Sequence, residues 1–388
     1  MPEHTLAGRN LLLSFLPNFN VPLLGPQLEE RLLPLLQKTL QILRPQIGRW
    51  RVVWGPAIYR IVPLGIADNT MVVLENDAGE RFVSIAGTHP LSLFAWFIED
   101  FQVDEMFPWL EGDAPPGAMI AEGTLAGLRA LQGMVPPAAV PGAHTTLRDF
   151  LSTTPRPTTI AGHSLGGALA PVLGLWLSDT RSHWDPQHQV SLDVWAYASP
   201  APGNPAFARH LNAQLGDGLH RVANQLDVVP SGWQVDELAR LKALYAPDIE
   251  RSPLWDSIID ITIAATNGQR FAQIDESPMI LEGTLDMGRV GGRSALTDII
   301  TQLLYQHTAA YFALTGVDLG VALGQALDEL QRTHEPECER TVMRRMRQST
   351  WARSLHGIPR DLLRVTLHHL RRRAPALLRT VTPNRWRS

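Results

Sequence analysis

The sequence predicts an α/β protein with a mostly parallel sheet, helices on both faces and a cap insertion. Three observations carry this reading. Short β-prone runs at residues 158–161, 192–198 and 219–223 alternate with helical stretches, as parallel strands joined by crossover helices do. The first of these runs ends in Gly162-His163-Ser164-Leu165-Gly166 and passes straight into a helix of small and apolar residues. Ahead of it, residues 70–75 and 81–86 flank Asn76-Asp77-Ala78-Gly79, a hairpin signal that leads into the sheet.

Taken in order, residues 1–48 read as a helical lead. Leu28, Leu32, Leu33, Leu35, Leu36, Leu40 and Leu43 recur near helical spacing among Glu29, Glu30, Arg31, Gln37 and Lys38. Pro34 is expected to kink or break that helix, because its ring removes one backbone donor and crowds the preceding turn. The lead is expected to cover part of the core, with a swapped or partner-binding arm as the alternative. From Trp50 the pattern turns to strands, and residues 49–330 form the α/β domain. Within it, residues 232–298 are mixed in character and read as an insertion or cap. Residues 331–388 form an Arg-rich tail, and no internal repeat is visible.

A chain of 388 residues that is 45% hydrophobic can bury one large core with appendages. The single Cys338 excludes an intramolecular disulfide framework, and no Cys/His cluster has metal-ligand spacing. The net charge of −4 is unevenly spread: residues 331–388 carry 14 Arg, no Lys and 4 acidic residues, whereas residues 1–330 carry 20 basic and 34 acidic ones. Lys38 and Lys242 are the only lysines, so the Arg preference runs through the whole chain and is not read as nucleic-acid specificity. No basic-then-apolar leader opens the sequence, and no apolar run reaches the roughly 18 to 20 residues that span a bilayer. Localisation stays open between the cytoplasm and export without a visible leader.

The Gly-x-Ser-x-Gly turn is where a serine nucleophile is expected. The serine must occupy a strained strand-to-helix bend with Oγ exposed, and flanking glycines let neighbouring backbone approach closely. Gly162 and Gly166 meet that demand around Ser164, and the N–H of Leu165 opens the following helix, aimed where charge develops on an attacked carbonyl. A hydroxyl needs a base, and the base needs a carboxylate to orient it. In doubly wound folds these follow the nucleophile in the order acid, then His. His307 precedes an apolar helical run, whereas His334, His356, His368 and His369 fall in the Arg-rich tail. Asp227 follows a β-prone run and precedes Pro230, which places it on a loop at the carboxyl edge of the sheet. Asp179, Asp185 and Asp193 are expected at the opposite edge. The second oxyanion donor is expected at Thr88, after residues 83–86 and Gly87. The run that follows, with Leu93, Trp96 and Phe97, suits a lid or acyl pocket and equally a buried helix.

These residues together resemble the class 3 lipases of the α/β-hydrolase superfamily. The resemblance rests on Gly162-His163-Ser164-Leu165-Gly166-Gly167-Ala168-Leu169-Ala170, on Tyr197-Ala198-Ser199-Pro200-Ala201-Pro202-Gly203-Asn204, on Asp227-Val228-Val229-Pro230, and on His307 with Tyr311 four residues on. Trp96 and Asp100 match the tryptophan and aspartate that follow the family's oxyanion loop, and the likeness covers residues 72–314. The sequence departs from the family where Ala86 stands in place of an Arg and where Ala121-Glu122-Gly123-Thr124 replaces a His-x-Gly-Phe-like step. The resemblance implies the α/β-hydrolase fold, with Ser164 as nucleophile, Asp227 as acid, His307 as base, and Thr88 with Leu165 as the oxyanion hole. The expected function is that of a serine carboxylic ester hydrolase, a lipase or esterase acting on acyl glycerides or related esters through an acyl-enzyme. A phospholipase or acyltransferase on the same triad is the alternative among enzymes, and a lipid-binding scaffold the alternative outside them. No metal or organic cofactor is expected. The expected partner is an ester or lipid substrate, with peripheral contact to a lipid surface and no nucleic acid.

Overall fold

The computed structural model describes residues 3–20, 27–61, 66–86, 103–291 and 294–317. The expected Arg-rich tail lies outside them. Helix α1 (Glu3–Phe15) and helix α2 (Leu28–Ile47) precede strands β1 (Trp50–Ile61), β2 (Ile66–Asn76) and β3 (Arg81–Ile85). A small ribbon of β4 (Met106–Pro108) and β5 (Met119–Ala121) leads to α3 (Glu122–Gly133) and α4 (Leu147–Thr153). Then come β6 (Thr158–His163), α5 (Leu165–Asp179), β7 (Leu192–Tyr197), α6 (Pro205–Leu215) and β8 (Leu219–Asn224). Helices α7 (Val235–Arg240) and α8 (Pro253–Ala265), strand β9 (Met279–Leu281), and helices α9 (Ala295–His307) and α10 (Ala309–Leu314) complete the order.

Among the described residues the main sheet has seven strands in the order β1-β2-β3-β6-β7-β8-β9. Its first three strands are antiparallel, and from β3 onward every pair is parallel. The expected hairpin is present: the Asn76 side chain accepts the N–H groups of Ala78 and Glu80, and Gly79 takes the positive φ of 80° that closes the turn. Local chemistry also starts the helices. Asn204 caps α6 ahead of Pro205, Ser252 caps α8 ahead of Pro253, and Ser294 caps α9.

Side-chain alternation along the strands divides the core into two layers. Val83, Ile85, Ile160, Val194 and Ala196 face Leu169 and Leu173 of α5. Val72, Leu74, Phe82, Ala161, Trp195, Tyr197 and Val222 face the other way, against Leu11 and Leu13 of α1 and Leu32 and Leu36 of α2. The leucine stripe of the lead therefore packs on that face of the sheet. The break that Pro34 predicts as one outcome does not occur: α2 runs as one helix from Leu28–Ile47 with Pro34 inside it. A proline costs a helix about 3 kcal/mol. Burial of Leu28, Leu32, Leu36, Leu40 and Leu43 on both sides of it offsets that, at roughly 1.5–3 kcal/mol for each side chain buried. A second correction concerns residues 232–298. The stretch expected as a cap also supplies β9, which pairs in parallel with β8 through Val222↔Met279 and Asn224↔Leu281 and so belongs to the core sheet. A strand of three residues with Ile280 exposed leaves too little pattern for sequence reading to detect.

Candidate active site

Ser164 stands between the end of β6 and the start of α5, with φ 61° and ψ −122°. A non-glycine residue held there stores about 1–3 kcal/mol of strain, which the surrounding structure must over-determine. It does so by main-chain bonds on both sides: the Ser164 N–H donates to the carbonyl of Tyr197 at 2.9 Å, and its own carbonyl accepts the N–H of Ala168 at 3.0 Å. Packing closes the bend. A Cβ on Gly162 would meet the carbonyl oxygen of Gly166 at 2.1 Å, and one on Gly166 would meet that of Ile85 at 2.4 Å. Leu165, the first residue of α5, has no carbonyl within its own helix to bond, so its N–H is available at the positive end of the helix dipole.

His307 is the last residue of α9 and Asp227 lies three residues beyond the end of β8. The chain brings them together across 80 residues: His307 Nδ1 is 3.0 Å from Asp227 Oδ1 and 2.9 Å from Oδ2. A carboxylate only accepts, so Nδ1 carries the proton and Nε2 presents its lone pair. The other acceptor positions of Asp227 are filled too. Oδ1 takes the N–H of Val229 at 3.0 Å, and Oδ2 takes the hydroxyl of Tyr311 at 2.9 Å. Burial, and after it the Asp227 charge, pushes the Tyr311 hydroxyl well above its ordinary pKa, which keeps it a donor.

Ser164 adjoins this pair through its neighbour in the motif. His163 Nε2 lies 2.6 Å from the main-chain oxygen of His307, and the two imidazole rings are 4.6 Å apart. Burial, followed by the charge of His307, holds His163 well below the ordinary histidine range, so it stays neutral. Behind the pair, Asn224 Nδ2 donates to the main-chain oxygen and to Oε1 of Gln306, and Gln306 Nε2 donates to the carbonyl of Thr284. These bonds tie the end of β8 to the residue before His307. Among the described residues, the buried Ser164 Oγ and His307 Nε2 find no hydrogen-bond partner.

Residues 82–235 match the sequence family described as lipase (class 3). A crystal structure of M37 lipase, 28% identical, matches over 84% of this chain and 99% of its own length with a TM-score of 0.72. The chain is similar to the class 3 lipases, and its fold is that of the α/β-hydrolase superfamily. Weaker likenesses extend to a lipase from Rhizopus microsporus var. chinensis, at 22% identity over 48% of this chain and 57% of that one, TM-score 0.35. A triacylglycerol lipase from Penicillium expansum aligns at 20% identity over 60% of this chain and 70% of that one, TM-score 0.39.

The protein is a lipase-like carboxylic ester hydrolase, and its substrate is a lipid or other ester. The lipase fold gathers Ser164, Leu165, Asp227 and His307 at the carboxyl edge of the parallel strands. Thr88, Leu93, Trp96, Phe97 and Asp100 lie outside the described residues. The competing acids are engaged elsewhere: Asp179 accepts from Trp109 Nε1 and pairs with His210, Asp185 pairs with Arg181, and Asp193 pairs with His220. Among the described residues no group of three or more His, Cys, Asp or Glu is placed to hold a metal ion. Sequence reasoning missed His163, Asn224 and Gln306 as parts of the site. His163 stands inside the motif at a position the motif leaves unspecified, and Asn224 and Gln306 carry no signal until β8 and α9 are brought together.

Proposed function

We propose that this lipase acts through Ser164, His307 and Asp227 on acyl glycerides or related esters. Ser164 Oγ attacks the ester carbonyl carbon as its proton passes to His307 Nε2, while Asp227 holds the resulting imidazolium. The tetrahedral oxyanion is met by the N–H of Leu165, with Thr88 as the second donor. The alcohol leaves with the proton from His307, and the acyl group stays on Ser164. Water, deprotonated by the same imidazole, then attacks the acyl carbon and releases the carboxylic acid. The observation that supports this reading is the pairing of His307 Nδ1 with Asp227 beside a strained Ser164, with both Ser164 Oγ and His307 Nε2 buried and unbonded among the described residues.

Further parts of the reading concern organisation. Residues 1–48 act as a structural lead, residues 49–330 as the catalytic domain with an insertion at 232–298, and residues 331–388 as a basic tail. Peripheral contact with a lipid surface is proposed on the apolar run at 91–98.

The test is hydrolysis of p-nitrophenyl esters from short to long acyl chains, with Ser164→Ala in parallel. Turnover lost in the variant is the expected result, and preference for long chains places triacylglycerols among the substrates. Retained turnover in Ser164→Ala would overturn the assignment of the nucleophile. Release of fatty acid from phosphatidylcholine but not from triacylglycerol would replace the acyl glyceride reading with a phospholipase.

A further inference from the structure

His163 is a buried group beside the elbow that the steps above leave unused. Its Nε2 faces the carbonyl oxygen of His307 at 2.6 Å, and because a carbonyl only accepts, Nε2 is the protonated nitrogen. The bond fills a specific need. His307 ends α9, and Thr308 leaves helical geometry at φ −128° and ψ −82°, so the carbonyl of His307 is among those that the helix leaves without a partner. Asp227 fixes the imidazole at Nδ1 but leaves the position of the His307 main chain to other contacts. His163 supplies one of them from the residue next to the nucleophile.

The His163 ring is itself held in place. Phe15, the last residue of α1, packs on it at 4.6 Å from the side of the lead, and Tyr311 meets it edge-on at 5.7 Å. Phe15 also touches Phe312 of α10 at 4.8 Å, edge to face. Helix α1 is anchored to the sheet, since Ser84 Oγ donates to the carbonyl of Leu13 and Tyr197 Oη to that of Ala7, each at 2.7 Å. A continuous column therefore runs from the N-terminal helix through Phe15 and His163 to the base.

We propose that His163 is a positioning residue that sets the direction of His307 Nε2 toward Ser164, and that α1, through Phe15, completes the clamp. The lead is then part of the catalytic apparatus as well as a cover for the core. This inference rests on the reading of Ser164 and His307 as nucleophile and base. Neutrality of His163 suits the role, because a second cation would oppose the imidazolium that forms on His307 4.6 Å away.

The test uses the full chain with His163→Gln, whose amide nitrogen can replace the Nε2 donor, and His163→Leu, which cannot. The rate of diisopropyl fluorophosphate labelling at Ser164 and the acylation burst with p-nitrophenyl butyrate are measured, with KM and Tm. His163→Leu is expected to slow both labelling and acylation by about 10- to 100-fold with KM little changed, the scale of a catalytic group displaced by about 1 Å. His163→Gln is expected to recover most of the loss although its Tm falls with that of the Leu variant. Phe15→Leu keeps the site testable should His163→Leu fail to fold, and a labelling rate slowed by several-fold, about 3- to 10-fold, is expected there. Labelling of His163→Leu and Phe15→Leu at the wild-type rate would overturn the inference. Wild-type protein that is not labelled at Ser164 would instead overturn the reading on which it rests.

Discussion

The Tyr311 hydroxyl donates to Asp227 Oδ2 at 2.9 Å while it accepts the main-chain N–H of Asn224 at 3.0 Å. One phenol therefore joins helix α10, the end of strand β8 and the loop that carries the proposed acid. Replacing it by Phe leaves the N–H of Asn224 buried without a partner, a cost of about 1–3 kcal/mol in stability. It also frees one lone pair of Asp227, so kcat is expected to fall by roughly tenfold with KM nearly constant, about the worth of one hydrogen bond to a charged group. Steady-state kinetics and urea unfolding of Tyr311→Phe check both parts.

Asp227→Asn tests the orientation of the base. An amide can turn its NH₂ toward His307 Nδ1, which then becomes the acceptor and moves the proton to Nε2, where it blocks acceptance from Ser164. The kcat is expected to drop by about 10⁴, with the fold intact by circular dichroism. A loss below tenfold would remove Asp227 from the proposed triad.

His163 makes stability depend on pH in a definite direction. Its pKa in the folded state lies well below the ordinary value of 6.5, through burial first and the charge of His307 second. Above pH 6.5 neither state binds this proton. As pH falls below 6.5 the unfolded chain takes it up and the folded chain does not, so stability declines by up to about 1.4 kcal/mol per pH unit until the folded-state value is reached. The free energy of urea unfolding at pH 7.5, 6.5 and 5.5 is expected to show this decline in the wild type and a shallower one in His163→Gln. Equal slopes would show that His163 titrates alike in both states.

Close backbone approach at the elbow predicts a severe effect from a single methyl group. In Gly162→Ala the new Cβ would meet the Gly166 carbonyl oxygen at 2.1 Å, and both partners are backbone of the same strained turn. The loss is expected to be at least about 3 kcal/mol. Gly133→Ala, at the end of α3 with nothing within 4 Å of the added atom, is the control and is expected to be neutral or slightly stabilising. Denaturant midpoints of the two variants separate the outcomes.

Much of this architecture is legible in the chain itself. The Gly-x-Ser-x-Gly turn is local: strand, bend and helix occupy consecutive residues, and the bend tolerates few residue types, so Ser164 and Leu165 can be named without a fold. The order acid, then His, selects Asp227 and His307 from many candidates, because parallel strands deliver successive loops to one edge of the sheet. The leucine period of α2 is likewise visible, although the expected break at Pro34 was overridden by burial on either side of it. What only the tertiary structure decided is how residues distant in the sequence support one another. Tyr311 reaches Asp227, His163 reaches the carbonyl of His307, Asn224 reaches Gln306, and Phe15 reaches His163 across separations of 84, 144, 82 and 148 positions. The three-residue strand β9 became recognisable only by its pairing with β8. Periodicity and local motifs report the backbone conformation of a segment, whereas these contacts depend on which faces the sheet twist and helix packing bring together, information that no stretch of the sequence contains alone.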